Sequence, residues 1–484
     1  MARKEKKLID ENWIDKRADW YYSTPDFIAK YISDRLVELK CDWQTCLDPA
    51  VWKEELLDSL YEKWIVIDWF DINNYWEYEK CNFSQKNFID FYLEQKWYSH
   101  WLHYDYYIAN PPYNCHEIDY IRENKNRLKK AFGTVWTHNV YSMFMFAIID
   151  LAKDWAIIWL IVSDSFLNAK AHLGLRRKII EGCIIHDIIL CPTNLFRDQD
   201  ADVRTSIIIL QKWKWTQNKI NTINRYEDIE KFKDDLKNKN TEKKEINEVI
   251  LWNIKKEFQF IIWVDYDIVS LFSKYNKLWN IFNCITWIST GNDWKFLSKN
   301  KSESYEIPFY KNPWKNKFIC KPDTFIISDF LNISKWIKDF MVRNKQFLFK
   351  EWITCSSMGL PFSACYLPKW SAFWVNANIF CEDKEDIFRL LSYLNSSLVT
   401  YLVRGVLIRT NMITSWYVSN IPIIDLSEYE KKRLWNIAKN IINGNDSQDL
   451  AIEEIDDILF KNLQFSKEVY ETIIYFSKNL KSLV

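Results

Sequence analysis

Glycine is nearly missing from this chain, with 7 residues in 484, where an ordinary protein carries about 7%. Trp, normally scarce, occurs 26 times. Together the two make 33 of 484 residues, about the share expected of glycine alone. Trp also stands where turn chemistry favours Gly, in "DWFDIN", "KDWAIIWL" and "NPWKNK". A bulky aromatic resists the positive φ that such turns use. One reading accounts for both facts: most Trp letters are glycines, from a gene in which UGA means Gly but is translated as Trp. The alternative is a Trp-rich chain that is short of glycine. The ratio of UGA to UGG codons separates the two, and the letters alone do not say which tryptophans are true.

Other absences narrow the function. The 11 cysteines include no CxxC pair, which points to reduced thiols in a cytosol rather than a disulfide framework or a zinc site. His100 and His103 stand close together, but no Cys or carboxylate pattern completes a set of ligands, so no metal is expected. No run of about 18 uncharged apolar residues occurs, which argues against a membrane span. The opening "MARKEKKLIDENWIDKR" lacks the apolar core of a signal peptide, so a cytoplasmic location is expected. An excess of either charge is missing too, with 65 basic and 65 acidic residues. A neutral total neither announces nor excludes nucleic acid, since a basic cleft can hide within it.

What is present reads as an α/β protein of two or three domains. The runs "TCLDPA", "WIVIDWFDI", "YDYYIANPP", "AIIWLIVSD", "IIHDIILC" and "TSIIILQKW" look like buried strands. Helical patterns such as Lys53–Tyr61 and Tyr141–Lys153 lie between them. That alternation predicts a mostly parallel sheet with helices on both faces, which binds ligands beyond the carboxyl ends of its strands. Residues 1–216 form this first domain. Residues 217–249, polar and poor in aromatics, read as a linker or solvated helical excursion. Residues 250–425 form a second region of short mixed segments, and 426–484 a helical tail with apolar residues spaced at three and four.

The most informative stretch is "YDYYIANPPYN", residues 104–114. A strand ends in Asn110-Pro111-Pro112-Tyr113, where a substrate would lie. Two prolines fix φ and remove two donors, leaving a stiff loop with set carbonyl directions. Asn110 adds an acceptor and Tyr113 a flat ring, a combination suited to a planar amino-bearing substrate. Upstream, "LDPAVW" places Asp48 and a Trp at a Gly-like turn position after the first strand. Read with glycine, it is a tight strand-to-helix turn that lets backbone approach a ligand. "VIDWFDIN" places Asp71 after the second strand, where a carboxylate can grip ribose hydroxyls. "NFIDFYLE" then offers Asp90 and Phe91.

As an ordered set these motifs resemble the N6-adenine DNA methyltransferases of the gamma order, with a TaqI-like C-terminal specificity domain. The resemblance spans roughly residues 20–470. It implies a Rossmann-like S-adenosylmethionine-dependent domain, then an α+β target-recognition domain. "STPDFIAKYI" supplies Thr24 and Pro25, which the family sets beside the methionine part of the cofactor. Asp48, Pro49, Ala50 and Trp52 match its D-P-A-x-G loop, with Trp52 at the glycine. Lys53 and Glu54 depart from its usual small residues. Asp71 matches the ribose-binding acid, and Asp90 with Phe91 the pair that flanks the cofactor adenine. "NVYSMFMFAIIDLAKDWAIIWLIVSDSFL" resembles the following helix and strand, with Asp164 where the family often has Pro. "NLFRDQDADVRTSIIIL" resembles the last catalytic motif, in which Phe196 would contact a flipped base. "ITWISTGNDWKFL", "LLSYLNSSLVTYLVRG" and "YVSNIPI" resemble parts of the recognition domain.

The resemblance implies methyl transfer to the N6 amino group of an adenine flipped out of double-stranded DNA. Asn110 and the Pro111 carbonyl would accept the amino hydrogens, and Tyr113 and Phe196 would hold the base. Neither a metal nor a covalent enzyme intermediate is required. The expected setting is a restriction-modification or phage-defence system, with a monomeric enzyme and room for a separately encoded restriction endonuclease. Only about 20 residues precede Thr24, too few for a fused nuclease, and none is visible C-terminally. Two alternatives stay open: an NPPY enzyme acting on protein glutamine or an RNA base, and an inactive DNA specificity subunit. Lys295, Lys311, Arg404 and Arg409 lie in the second region; for each, a solvated charge or a phosphate contact is favoured over base readout.

Overall fold

A computed structural model describes residues 23–39, 45–51, 56, 58–61, 65–74, 82–98, 103–113, 118–196, 204–213, 219–226, 228–252, 258–358, 361–408, 412–445 and 447–483. The chain divides into two compact units, Met1–Trp263 and Val264–Val484.

Among the described residues, the main sheet of the first unit has nine strands: β1 (Thr45–Asp48), β2 (Val66–Asp71), β3 (Asn82–Gln85), β4 (Tyr106–Ala109), β5 (Ile157–Ser163), β6 (Cys183–Leu190), β7 (Thr205–Lys212), β8 (Lys219–Ile223) and β9 (Glu242–Glu245). Their order is β3-β2-β1-β4-β5-β7-β6-β8-β9. The first five are parallel, β7 runs antiparallel between β5 and β6, and β8 returns parallel to β6. The mostly parallel α/β sheet expected from the sequence is thus present.

Both faces of the sheet are buried at its centre, which is why β5 and β7 read as unbroken apolar runs. On β5, Ile158, Leu160 and Val162 join one core with helices α3 (Phe88–Tyr98) and α6 (Val140–Leu151). Their neighbours Ile157, Trp159 and Ile161 join the opposite core with α1 (Asp26–Glu38) and α8 (Ile229–Asn238). A charged lock ties α1 to the sheet. The fully buried Asp187 carboxylate on β6 accepts from Arg35 Nε at 2.8 Å and Nη2 at 2.9 Å, from Tyr31 at 3.1 Å and from Asn221 at 2.6 Å. A buried charge persists only when paired and hydrogen-bonded in this way.

Residues 217–249 depart from the linker expectation. Around helix α8 they add β8 and β9 to the sheet. Their apolar signal is thin but placed inward, with Ile220, Ile223, Phe232 and Leu236 buried. The outermost strand, Glu-Lys-Lys-Glu, is all charge; an edge strand so composed resists pairing with another chain. A hairpin, Ile250–Trp252 with Phe258–Phe260, also belongs to this unit. The unit therefore runs on to Trp263, past the expected domain end at 216 and the expected linker at 217–249. The buried Arg176 guanidinium fastens the hairpin, donating to the carbonyls of Phe258, Phe166 and Ala169 at 2.6–2.8 Å.

In the second unit, one four-stranded sheet orders Asn283–Ile285, Asn378–Phe380, Trp352–Cys355 and Ala364–Leu367. Another orders Leu297–Ser298, Thr324–Ile326, Ile307–Tyr310 and Ala372–Phe373. Asn395 pins the helical part to the first of these sheets, exchanging hydrogen bonds with both backbone groups of Ala364 at 3.0 and 2.9 Å. The tail forms helices Glu428–Ile442, Gln448–Leu463 and Lys467–Leu483. The first begins in a reciprocal cap between Ser427 and Glu430.

Three tryptophans occupy backbone suited to glycine: φ is 71° at Trp155, 56° at Trp314 and 62° at Trp370. Trp159 and Trp287 are fully buried, with indole N–H groups that find no acceptor among the described residues.

Candidate active site

The sheet order reverses at β1 and β4, since β2 and β3 lie to one side of β1 and β5 to the other side of β4. At such a switch point the connecting loops diverge and leave a crevice beyond the strand ends. Asp48 is the last residue of β1, and Asn110 follows the last residue of β4. The two strands are parallel neighbours, with Cys46 opposite Tyr106 and Leu47 opposite Tyr107. This register carries Asp48 and Asn110 to the same edge.

Each loop is held locally. The buried Asp48 turns back on its own loop, Oδ1 accepting the Ala50 N–H at 3.0 Å. The Val51 N–H reaches the Phe70 carbonyl on β2 at 3.2 Å. Pro49 lies within this turn, whereas Trp52, Lys53 and Glu54 lie outside the described residues. Asp71 closes β2, its Oδ1 accepting from the Asn73 N–H at 3.0 Å. Phe91 on α3 packs edge-on against Phe70 at 4.8 Å between ring centres. Asp90 precedes it in the first turn of the same helix. Its carboxylate accepts from Tyr120 at 2.9 Å and pairs with Arg127 at 2.7 Å, so its charge is engaged by the next helices.

The Asn-Pro-Pro-Tyr loop draws in three distant segments. Asn110 Nδ2 donates to the buried Thr24 Oγ1 at 3.0 Å, 86 residues away. Pro25 caps the start of α1 beside it. Tyr113 is buried, and its hydroxyl contacts Asn110 Oδ1 at 2.6 Å and the Ile161 carbonyl at 3.1 Å. The Tyr113 ring lies 6.5 Å from that of the buried Phe196, tilted by 52°. Pro111 is buried and Pro112 half-buried between them. The structure thus unites Thr24, Asn110, Tyr113 and Phe196 around one loop.

A polar network just after β5 was not foreseen. Tyr141 on α6 hydrogen-bonds Ser165 at 2.6 Å and His172 Nε2 at 3.0 Å, and Ser142 meets His172 Nδ1 at 3.0 Å. Burial lowers the pKa of His172 to about 3, helped by the nearby Arg176 charge, so the ring is neutral at pH 7. The only sequence signal was a lone His between helical segments. Asp164, the departure from Pro, forms an ion pair with Arg225 at 2.6 Å. Burial outweighs that pairing and lowers the pKa of Arg225.

Of the second-region cations, Lys311 pairs with Asp293 at 2.6 Å and Lys295 lies over the Phe296 ring at 5.5 Å. Arg404 is no solvated charge: it is buried in an irregular helical turn, and desolvation lowers its pKa to about 10. Arg409 and His100 lie outside the described residues, and His103 is exposed. Among the described residues no group of three or more His, Cys, Asp or Glu could hold a metal, no helix is long and apolar enough to cross a membrane, and the cysteines are free thiols.

Several solved structures share the fold. One is a nuclease-deletion mutant of the Type ISP restriction-modification enzyme LlaGI in complex with a DNA substrate mimic. It aligns with 89% of this chain and 55% of its own at 11% identity, with a TM-score of 0.55. The ATP-dependent Type ISP restriction-modification enzyme LlaBIII bound to DNA aligns with 87% of this chain and 40% of its own, at 12% identity and a TM-score of 0.50. A DrdV–DNA complex aligns with 88% and 57%, at 12% identity and a TM-score of 0.50. The chain therefore spans between two fifths and three fifths of these proteins. No curated protein matches it. Residues 79–277, from before β3 to the start of the second unit, match the family described as N-6 DNA Methylase.

Proposed function

We propose that this chain is an S-adenosylmethionine-dependent DNA methyltransferase that acts on the N6 amino group of adenine, as the modification activity of a restriction-modification or phage-defence system. The observation that carries the proposal is Asn110-Pro111-Pro112-Tyr113 at the carboxyl end of β4, beside the β1 loop at the switch point and bonded to Thr24. The match of residues 79–277 to the N-6 DNA Methylase family supports the same reading.

The donor set suits the cofactor. Asp71, ending β2, would meet a ribose diol, while Phe91 against Phe70 would offer an apolar wall for an adenine ring. Thr24, Pro25 and the Asp48-Pro49-Ala50 turn would take the amino-acid end. When bound, S-adenosylmethionine supplies an electrophilic methyl group.

The chain's own task is to make a poor nucleophile attack. The adenine amino lone pair is conjugated with the ring. Accepting its two hydrogens at Asn110 Oδ1 and the Pro111 carbonyl favours a pyramidal nitrogen with the lone pair freed. As the N–C bond formed and the methyl–sulfur bond broke, the positive charge would pass from sulfur to that nitrogen and leave a neutral thioether; the same two acceptors would stabilise it until one amino proton is lost to water. Phe196 and the Tyr113 ring offset part of the few kcal/mol spent on unstacking the base. Because the Tyr113 hydroxyl occupies Asn110 Oδ1 here, a stacked base requires this ring to turn outward. The amino group then replaces the hydroxyl at the acceptor.

Asn110→Ala tests the reading. S-adenosylmethionine binding by calorimetry should persist, while methyl transfer to DNA, read as N6-methyladenine by mass spectrometry, should be lost. Near-normal turnover would refute the role of Asn110. Methylated glutamine or RNA in place of DNA would refute the substrate.

A further inference from the structure

The second unit carries a cleft of roughly 510 Å³ remote in sequence from every motif used above. It is formed by the end of helix Phe330–Trp336, strand Met341–Val342 and the turn that follows. Lys335, Lys338, Arg343 and Lys345 line it, and the only acid between Ser334 and Lys345 is Asp339. Four positive charges against one negative leave +3 in this stretch of a chain whose net charge is zero.

These charges are exposed and unneutralised. Lys335 donates only to the neutral Asn332 Oδ1 at 3.1 Å, and Arg343 only approaches the Met341 sulfur at 3.7 Å. No ion pair involves any of the four among the described residues. Elsewhere in the unit, Lys311, Lys384, Arg389, Lys431 and Arg433 each sit on a carboxylate. The backbone beneath the cleft is fixed: Met341 and Val342 pair with Ser289 and Ile288, Asn344 Nδ2 donates to the Thr286 carbonyl at 3.1 Å, and Phe340 is buried. Because the backbone beneath is fixed, binding an anion would order side chains alone and not the chain that carries them. Four of them spread over eleven residues suit a polymer with repeated charges better than a single phosphate.

We propose that this cleft grips the phosphate backbone of duplex DNA, a sequence-independent contact separate from base readout. It rests on the methyltransferase reading for the identity of the polyanion. The test uses the full chain and a labelled DNA duplex, with affinity followed by fluorescence anisotropy as salt is varied. Each phosphate contact contributes about 0.9 to the slope of log K against log salt. The K335Q/K338Q/R343Q/K345Q variant should therefore lose about 3 to 4 from that slope, equally for duplexes of unrelated sequence. The pairs K335Q/K338Q and R343Q/K345Q should each lose about half as much, which guards against misfolding of the quadruple variant. An unchanged slope in both pairs, or weakening confined to one DNA sequence, overturns the cleft while leaving the methyltransferase reading intact. An unsubstituted chain that neither binds nor methylates DNA overturns both.

Discussion

Replacing Trp155, Trp314 and Trp370 with glycine and, separately, with alanine isolates the backbone contribution at each site. Both substitutions remove the ring, so the Gly–Ala difference is free of the lost aromatic contacts, such as Trp370 against Phe349 at 5.2 Å. At φ of 71°, 56° and 62°, an L-residue suffers about 1–2 kcal/mol of steric cost that glycine escapes. Glycine gives back about 0.4–1 kcal/mol through the greater entropy of its unfolded chain. Gly should therefore exceed Ala by about 0.5–1 kcal/mol at each site, roughly a two- to fivefold change in the unfolding equilibrium. Trp435, inside helix Glu428–Ile442, is the control; there Ala should exceed Gly by about 1 kcal/mol. Denaturant midpoints of the eight variants supply the data, each pair compared within its own unit. Ala equal to or better than Gly at all three positive-φ sites would refute the backbone argument. It would also remove the structural support for reading these letters as glycine. UGG codons at all three positions would contradict that reading at the gene.

Two further outcomes follow from the first unit. Arg35→Met should cost about 3–5 kcal/mol in chemical denaturation, because it strands the Asp187 carboxylate in the core; a loss below about 1 kcal/mol would mean that Tyr31 and Asn221 hold the charge unaided. His172, with its pKa lowered to about 3 by burial, binds its proton more readily when unfolded. Its contribution to stability is therefore complete above about pH 6.5 and is lost as pH falls toward 3, by at most about 1.4 kcal/mol per pH unit. His172→Gln should flatten that part of the stability–pH curve, and an unchanged slope would refute the assignment.

Much of the first unit could be read from the letters because both faces of its sheet are dry. Unbroken runs such as "AIIWLIVS" can only be satisfied by burial on two sides. Asn110, Pro111 and Pro112 were equally plain, since two prolines after a strand leave few conformations. The strands at 219–223 and 242–245 were missed because they lie at the edge, where few inward residues suffice and charge outside is favourable. The partners of Asp90 were not legible because a carboxylate's letter does not say which cation reaches it, and Arg127 lies 37 residues away.

Composition and local pattern established the strand content, the stiff acceptor loop and the anomaly of tryptophan at turns, because each depends on residues adjacent in the chain. Long-range packing established the rest. It set the strand order that reverses between β1 and β4, the bond from Asn110 to Thr24 across 86 residues, and the Tyr113 hydroxyl resting on Asn110 Oδ1. It also left the four cations that lie close together between 335 and 345 without carboxylate partners among the described residues. Those features depend on which groups meet after the backbone has folded, and neighbouring letters carry no record of that.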